Sequence, residues 1–324
     1  MKIFCNLVVS ALLLCAGIAH AQGPAAYPNR PIRIIVPFAP GGPTDTHSRW
    51  AAQQINAALG EPVIVENRAG AGGIIGTEAA ARAAPDGYTL LGGNPGPLTI
   101  AVSARKHLNY DPLKDFAPIT LIAKSASCMC VHPTVPARTL QQFIALAKSK
   151  PGRITYATPG IGTVGHFGTE LFATMAGIKM TMVPYKGAAP YLVDLLAGNI
   201  DFAYVQIFQA LPYVRTGKLR ALAVTARVRS PLMPNVPTAD EQGVKGFSSY
   251  NWNGILAPAG TPQPIIDRLN AVMSKPLHDP ETRKRLEALG YEVSGEGPAE
   301  FAAFMREEVK RWAEVAKKAH IPRS

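Results

Sequence analysis

The sequence predicts an α/β protein made of two lobes, on three observations. Short β-branched apolar runs alternate with helical segments, the pattern of parallel β-α-β units with right-handed crossovers. The chain has 324 residues, which is more than one hydrophobic core usually fills. Hydrophobic residues make up 47% and charged residues 17%, a composition that suits large buried cores rather than disorder.

The N-terminus has the pattern of a signal peptide. Lys2 supplies the positive start, residues 7–18 the apolar core, and Ala19-His20-Ala21 a cleavage site. The core is too short to span a bilayer comfortably. A lipoprotein signal at Cys15 is disfavoured, because leucines occupy 13 and 14, where small residues are expected. We therefore expect residues 1–21 to be removed from an exported protein.

The elements divide the chain into two lobes. Residues 22–122 have strands predicted at 32–38, 63–66 and 88–92, with helices at 45–59 and in the segment up to 84. Residues 123–249 have extended segments predicted at 119–131, 154–157, 180–184, 200–205 and 219–225, and helices at 140–148, 166–176, 190–197 and 211–216. Residues 250–324 have an extended segment predicted at 250–257 and helices at 267–274, 281–288 and 298–318. One good strand is too little for an independent sheet, so we expect 250–324 to pack back on 22–122 and to form lobe 1 with it. Residues 123–249 then form lobe 2. Two chain crossings between two lobes indicate a hinge with a cleft.

Two glycine-rich turns, at 37–45 and 158–166, each connect a strand to a helix. Glycine allows positive φ and close backbone approach, and the start of a helix presents unpaired N–H groups at its positive end. Ligands of open parallel sheets bind at the carboxyl ends of the strands. We therefore expect the two turns to converge on one cleft and to hold a carboxylate there.

The second turn also contains Gly160-x-Gly162-x-x-Gly165, which matches a dinucleotide-binding fingerprint. That fingerprint needs an acidic residue at the end of the next strand, whereas 180–184 leads into Tyr185-Lys186-Gly187. Lys186 would suit a 2′-phosphate, but exported proteins rarely meet NADPH. An NAD(P)-dependent enzyme is thus the alternative interpretation.

Individual side chains of the turns suggest structural roles and no catalysis. Asp45 and Arg49 are spaced i,i+4 for an ion pair, and Thr44 or Asp45 is placed to cap the helix. His166, in the first turn of its helix, should stay neutral and donate one hydrogen bond. Asp45-Thr46-His47-Ser48 has the residue types of a hydrolase triad, but neighbours on one helix diverge. We expect no enzyme activity and no cofactor.

Charge and cysteines exclude further classes. The net charge of +11 favours anionic partners, but the basic residues are scattered and no nucleic-acid-binding motif accompanies them. Cys128 and Cys130 would point to the same face of a strand, with poor geometry for a disulfide, so we expect free, half-buried thiols. The histidines and cysteines lack metal-site spacing.

Ordered motifs from residue 27 to the C-terminus resemble the tripartite tricarboxylate transporter solute receptors, also called Bug receptors. They are Tyr27-Pro28-x-Arg30-Pro31-Ile32, Pro37-Phe38-x-Pro40-Gly41-Gly42-x-x-Asp45, Val65-Glu66-Asn67-Arg68-x-Gly70-Ala71-Gly72-Gly73, Pro85-Asp86-Gly87-Tyr88-Thr89-Leu90, Pro184-Tyr185-Lys186-Gly187, Gly217-Lys218-Leu219-Arg220 and Ala257-Pro258-Ala259-Gly260-Thr261-Pro262.

The resemblance implies a periplasmic type II binding protein, a monomer that closes on a small carboxylate and delivers it to the membrane permease subunits. The ligand would be a di- or tricarboxylate or an aromatic or other organic acid, held largely by backbone N–H groups and ordered waters. The implied binding residues are Phe38, Ala39, Pro40, Gly41, Gly42, Thr44, Asp45, Gly93, Asn94, Thr158, Gly160, Ile161, Gly162, Thr163 and His166.

The chain departs from the family pattern at one place. Many members have an acidic residue just after the strand that here begins at Asp201, where this chain has Val205 and Gln206. Both residues are candidates for ligand contact. If the family acid meets a ligand ammonium group, its absence predicts that the ligand is not an amino acid.

Overall fold

The computed structural model describes residues 27–288 and 290–323. The predicted signal peptide, residues 1–21, and the first residues of predicted lobe 1, 22–26, lie outside this part. Among the described residues, no helix has the length and the apolar character needed to cross a membrane.

Strands and helices alternate along the chain, as predicted. The strands are β1 (Ile32–Val36), β2 (Val63–Asn67), β3 (Thr89–Gly93), β4 (Phe116–Val131), β5 (Thr155–Thr158), β6 (Thr181–Pro184), β7 (Phe202–Gln206), β8 (Arg220–Val224), β9 (Tyr250–Pro258) and β10 (Tyr291–Glu296). The α-helices are α1 (Pro43–Leu59), α2 (Ile74–Ala81), α3 (Ala101–Ala104), α4 (Leu140–Ser149), α5 (Val164–Ala176), α6 (Ala188–Ala197), α7 (Ile207–Arg215), α8 (Gln263–His278), α9 (Pro280–Glu287) and α10 (Pro298–Lys318). A 3₁₀ turn lies at Ala71–Gly73 and a π-helical turn at Gly96–Ile100.

The strands are ordered β2-β1-β3-β9-β4-β7-β5-β6, and β8 and β10 also pair with β4. β1 runs parallel to β2 and β3, and β5 runs parallel to β6 and β7, as the β-α-β pattern predicted. β9, β10, β7 and β8 pair with β4 in the antiparallel sense. The mixed sheet with helices confirms the predicted α/β class.

β4 connects the two lobes. Its residues 116–126 pair with β9, and from Ser127 onward it pairs with β7. We call β1 to β3, β9, β10 and the first part of β4 lobe 1, and β5 to β8 with the end of β4 lobe 2. The chain thus crosses at Ala126–Ser127 and returns at Tyr250, the start of β9. The division into 22–122 plus 250–324 and 123–249 stays a prediction.

β10 was not predicted from the sequence, in which 250–257 was the only strand expected after residue 249. Tyr291, Val293 and Gly295 are buried, and the residues between them are more exposed. This alternation is the mark of a half-buried strand, but the run is short and contains two glutamates. β10 pairs with β4 on the lobe 1 side.

α10 packs on both lobes. Phe301 and Met305 lie in a lobe 1 cluster with Trp252 and Leu256. Further along the helix, Trp312 and Val315 lie in the lobe 2 core with the stacked rings around Phe143. The predicted apolar stripe of the last helix is therefore buried, one part in a cluster of lobe 1 and the other in the core of lobe 2.

Cys128 and Cys130 are free, as expected, but the prediction that they are half-buried was wrong. Both are fully buried in a lobe 2 cluster. β4 is covered there on both edges, since Cys128 pairs with Val205 of β7 and with Val224 of β8.

Candidate ligand-binding site

The first glycine turn carries the chain from β1 into α1. Gly41 has a φ of +82°, in the left-handed region that favours glycine, and Gly42 is the N-cap of α1. Pro43 is the first helical residue and has no N–H group. The N–H groups of Thr44 and Asp45 come too early in the helix to find a partner within it. Neither N–H group has a hydrogen-bond partner among the described residues, so both are candidate donors to a ligand.

Asp45 holds this turn together. Its Oδ2 accepts hydrogen bonds from Gly41 N (3.1 Å) and Arg49 Nε (3.0 Å), and its Oδ1 accepts one from Asn67 Nδ2 (2.9 Å). Burial opposes ionisation, but the hydrogen bonds from Arg49, Gly41 and Asn67 outweigh it and hold the pKa below its ordinary value. The predicted ion pair with Arg49 is confirmed.

Thr44 joins the first turn to the segment after β3. Its Oγ1 accepts a hydrogen bond from Asn94 Nδ2 (2.9 Å), and Asn94 Oδ1 accepts one from Gly96 N (2.9 Å). Neither Thr44 nor Asp45 caps α1, so that expectation was wrong. Both side chains are used to position neighbouring loops instead.

The second glycine turn carries the chain from β5 into α5. Its hydroxyl groups bond within the turn: Thr163 Oγ1 donates to Gly160 O (2.7 Å) and lies 2.9 Å from Thr158 Oγ1. Thr163 is the N-cap residue. The next two N–H groups, those of Val164 and Gly165, lack intrahelical partners.

His166 supports the second turn from behind. Its Nδ1 lies 3.1 Å from Gly162 N, which donates to it, so the ring carries its proton on Nε2. Burial and the nearby Arg105 lower the pKa of His166 to about 4, which agrees with the expected neutral ring. In the described contact, however, the ring accepts a hydrogen bond.

The two turns line one cavity of about 620 Å³, counting the space open to solvent. It lies between the lobes and reaches the start of α1 on one side and of α5 on the other. The lining residues are Phe38, Ala39, Gly42, Pro43, Thr44, Asn94, Gly96, Ser127, Pro159, Thr163, Val164, Gly165, Ala188, Tyr191, Tyr204, Gln206 and Asn251. None of these described residues has a charged side chain.

A polar group in the cavity comes from the strands at the lobe crossing. Gln206 at the end of β7 donates through Nε2 to Ser127 Oγ on β4 (3.1 Å). Gln206 Oε1 is buried and has no partner among the described residues. Asn251 of β9 also lines the cavity. Ser127, Asn251, Tyr191 and Tyr204 were not predicted.

The predicted residues fall into two groups. Those on the cavity wall are Phe38, Ala39, Gly42, Thr44, Asn94, Thr163 and Gln206. The others lie in the same turns or strands but off the wall: Pro40, Gly41, Asp45, Gly93, Thr158, Gly160, Ile161, Gly162, His166 and Val205. Ligand contact by either group stays a prediction.

The part of the chain described here places no three His, Cys, Asp or Glu side chains where they could share a metal ion.

Comparison with known proteins gives a consistent result. The family model described as "Tripartite tricarboxylate transporter family receptor" matches residues 48–321. Protein BugT of Bordetella pertussis is 37% identical over 311 residues, which cover 96% of this chain and 95% of BugT.

Solved structures extend the likeness to the fold. An R. palustris protein solved with adipate superposes with a TM-score of 0.89 at 33% identity, covering 92% of this chain and 100% of that protein. MatC from Rhodopseudomonas palustris with bound malate superposes with a TM-score of 0.85 at 37% identity, covering 89% of this chain and 99% of MatC. The periplasmic binding protein BugD superposes with a TM-score of 0.87 at 37% identity, covering 92% of this chain and 100% of BugD.

Proposed function

The chain belongs to the tripartite tricarboxylate transporter receptor family, and from this premise we propose that it is a periplasmic receptor for a small organic acid. It closes on one carboxylate ligand and presents it to the membrane permease subunits of a tripartite transporter. Residues 1–21 direct its export, and the mature receptor is a monomer without enzyme activity or cofactor.

The observation that carries the proposal is the meeting of two helix N-termini at one uncharged cavity. Thr44 at the start of α1 and Val164 and Gly165 at the start of α5 all line it. Each N-terminus is equivalent to roughly half a positive charge. A carboxylate between them gains several N–H donors without needing a lysine or arginine on the wall.

The rest of the wall supports an organic acid with a carbon chain or ring. Phe38, Tyr191 and Tyr204 provide apolar surface, while Gln206 and Ser127 provide polar atoms for a second group on the ligand. The related proteins solved with adipate and malate hold dicarboxylates. We propose a di- or tricarboxylate or another organic acid as the ligand here.

An amino acid fits this wall less well. A ligand ammonium group needs a carboxylate partner when it is removed from water, and no Asp or Glu is among the described lining residues. Gln206, a buried polar side chain on the wall, offers only a neutral oxygen. This supports the exclusion of aspartate and glutamate as ligands.

The dinucleotide alternative has less support. Gly162 N already donates to His166, and Gly160 lies against Gly72 of lobe 1. The N–H group of Gly162 is therefore engaged by the protein itself, and the close approach of Gly72 leaves little room for a pyrophosphate beside Gly160.

The test is a thermal-shift screen of the mature protein, residues 22–324, followed by calorimetry. The panel contains malate, adipate, citrate and benzoate, with aspartate, glutamate, NAD⁺ and NADP⁺ as contrasts. A ligand at one hundred times its Kd adds about 2.7 kcal/mol to the free energy of unfolding, so a true ligand gives a clear shift. Stabilisation by dinucleotides alone would overturn the proposal, and tight binding of aspartate or glutamate would overturn the ligand class.

Export and delivery have their own measurements. Protein recovered from the periplasmic fraction should begin at Gln22, as determined by mass spectrometry. Deletion of the receptor gene should abolish uptake of the acid that binds in vitro, and re-expression should restore it.

A further inference from the structure

We propose that Gly72 is a positioning residue for closure: its lack of a side chain, rather than any contact with ligand, lets the two lobes meet over the cavity. The proposal deepens the proposed function and rests on it only for the ligand-binding part of its test. Gly72 is not among the residues that line the cavity.

The backbones of the two lobes come into contact at Gly72. This residue lies in the 3₁₀ turn of lobe 1, opposite Ile161 in the second glycine turn of lobe 2. A Cβ at Gly72 would overlap the carbonyl oxygen of Ile161 and would lie 3.3 Å from its carbonyl carbon. A Cβ at Gly160 would lie 3.1 Å from Gly72 Cα. Since backbone faces backbone, no change of side-chain rotamer relieves the overlap.

At a second contact between the lobes a glycine again lies close to a residue of the other lobe, but the approach is less tight. A Cβ at Gly187 of lobe 2 would lie 3.2 Å from Ala39 Cβ and 3.5 Å from Ala39 N. Close to the same turn of lobe 1, Gln209 Nε2 donates to Gly41 O at 3.2 Å. The lobes therefore meet at several points through groups that leave little room for added atoms.

A methyl group at position 72 acts selectively on the closed arrangement. When the lobes separate, the carbonyl of Ile161 moves away and the overlap disappears. What remains is the cost of a left-handed alanine, because Gly72 has a φ of +69°. The change thus lowers the fraction of closed protein, and the apparent affinity falls with that fraction.

Gly60 provides a matched control for the backbone cost. It has a φ of +80° and a Cβ there would meet no atom within 4 Å. Gly60→Ala therefore carries the left-handed strain without a lobe contact. Gly187→Ala provides a second test with a milder overlap than Gly72→Ala, but its φ of +145° and ψ of −177° add a backbone strain that Gly60 does not match.

The experiment measures the distance between the lobes by pulsed electron paramagnetic resonance. Spin labels are attached to cysteines introduced at the exposed positions Gln53 on α1 and Ala145 on α4; the native Cys128 and Cys130 are fully buried. Wild type, G60A, G72A and G187A are compared without ligand and with malate or adipate. Calorimetry on the unlabelled proteins gives the affinities.

We expect G72A to give longer distances than G60A and to bind at least about tenfold more weakly, with G187A between them. Equal distance distributions and equal affinities in G72A and G60A would overturn the proposal. If neither malate nor adipate binds the wild type, these two acids are excluded as ligands, but the distances in ligand-free protein still decide the role of Gly72. If G72A is destabilised more than G60A, the lobe distances in the folded protein decide, because backbone strain within one lobe does not by itself separate the lobes.

Discussion

Gln206 and Ser127 face each other across adjacent strands, and the Nε2 of Gln206 donates to Ser127 Oγ at 3.1 Å. The bond uses one end of the amide, and Oε1 is buried with no hydrogen-bond partner in the part of the chain that the structure describes. A buried polar atom of this kind costs about 1–3 kcal/mol unless it finds a hydrogen bond. A ligand hydroxyl or a trapped water in the cavity would supply one.

Replacing Gln206 should therefore weaken binding of a ligand that carries a second polar group. We expect Gln206→Leu to lower malate affinity about tenfold, the effect of roughly 1.4 kcal/mol. Gln206→Glu should cost more, because it adds a negative charge to a cavity that binds an anion. Calorimetry measures both, with exposed Gln141→Leu as the control, and wild-type affinity in Gln206→Leu would show that the amide does not reach the ligand.

The turns should contribute more to binding through backbone than through side chains. Gly42 has an ordinary φ of −84°, and the nearest atom to a Cβ there is Ala39 O at 3.9 Å, so a side chain is tolerated by the fold. It would nevertheless project beside the cavity that Gly42 lines. We expect Gly42→Leu to weaken carboxylate binding by about two orders of magnitude, or roughly 2.7 kcal/mol.

His166→Gln is the comparison, since it changes a side chain behind the second turn. We expect it to cost less than about tenfold, because the backbone N–H groups of Val164 and Gly165 remain in place. Thermal unfolding of both variants checks that each is folded. If His166→Gln weakened binding more than Gly42→Leu, recognition would depend on the His166 side chain rather than on the backbone.

The features predicted correctly from sequence are those set by neighbouring residues. The glycine turns, the parallel units and the Asp45–Arg49 pair all depend on residues close in the chain. The cavity residues that were missed depend on how distant strands meet. Ser127 and Asn251 line the cavity because β4 changes its pairing partners beside them, and no local pattern marks that change.

The same reasoning explains the burial of the two thiols and the contact of Gly72. The thiols of Cys128 and Cys130 are fully buried because two separate strands cover β4, and a sequence pattern shows one strand at a time. Gly72 stood in a recognised motif, but its contact with Ile161 arises only when the two lobes meet. Motif position gave no indication of which lobe it would touch.

Asp45 should matter for stability well beyond its ion pair. Asp45→Asn removes a charge that accepts three hydrogen bonds, and bonds to a charged group contribute about 1.5–3 kcal/mol. Arg49→Gln removes only a partner whose side chain is 50% exposed, and such pairs contribute up to about 1 kcal/mol. Urea unfolding at pH 7 should show the larger loss for Asp45→Asn; equal losses would reduce Asp45 to a surface ion-pair partner.

The buried thiols should be inert in the native protein. The neighbouring Cys128 and burial both raise the pKa of Cys130 well above its ordinary value, and the thiolate is the reactive form. We expect no reaction of either thiol with a disulfide reagent until the protein is unfolded in guanidinium, and then reaction of both. Release of the coloured thiol product by the native protein would contradict the buried arrangement.

His47 should make the protein less stable in acid. Its Nδ1 donates to Pro43 O at 2.7 Å, its Nε2 has no partner among the described residues, and the Tyr291 ring lies 4.4 Å away. Burial lowers the pKa of His47 from 6.5 to about 4. As the pH falls below 6.5, the imidazole of His47 is protonated in the unfolded chain but stays neutral in the native protein. The free energy of unfolding therefore decreases until the pH reaches about 4, where the native ring is protonated too.

Between pH 7.5 and 5.0 this linkage amounts to about 2 kcal/mol for His47, and His166, with its similarly lowered pKa, should add a comparable amount. His47→Asn keeps a donor for Pro43 O but has no group that titrates in this range. Urea unfolding at the two pH values should therefore show a smaller acid loss for His47→Asn than for wild type, and a smaller one still when His166→Gln is added. An unchanged loss in His47→Asn would mean that the buried ring takes up its proton without unfolding, through a rearrangement that gives Nε2 a partner.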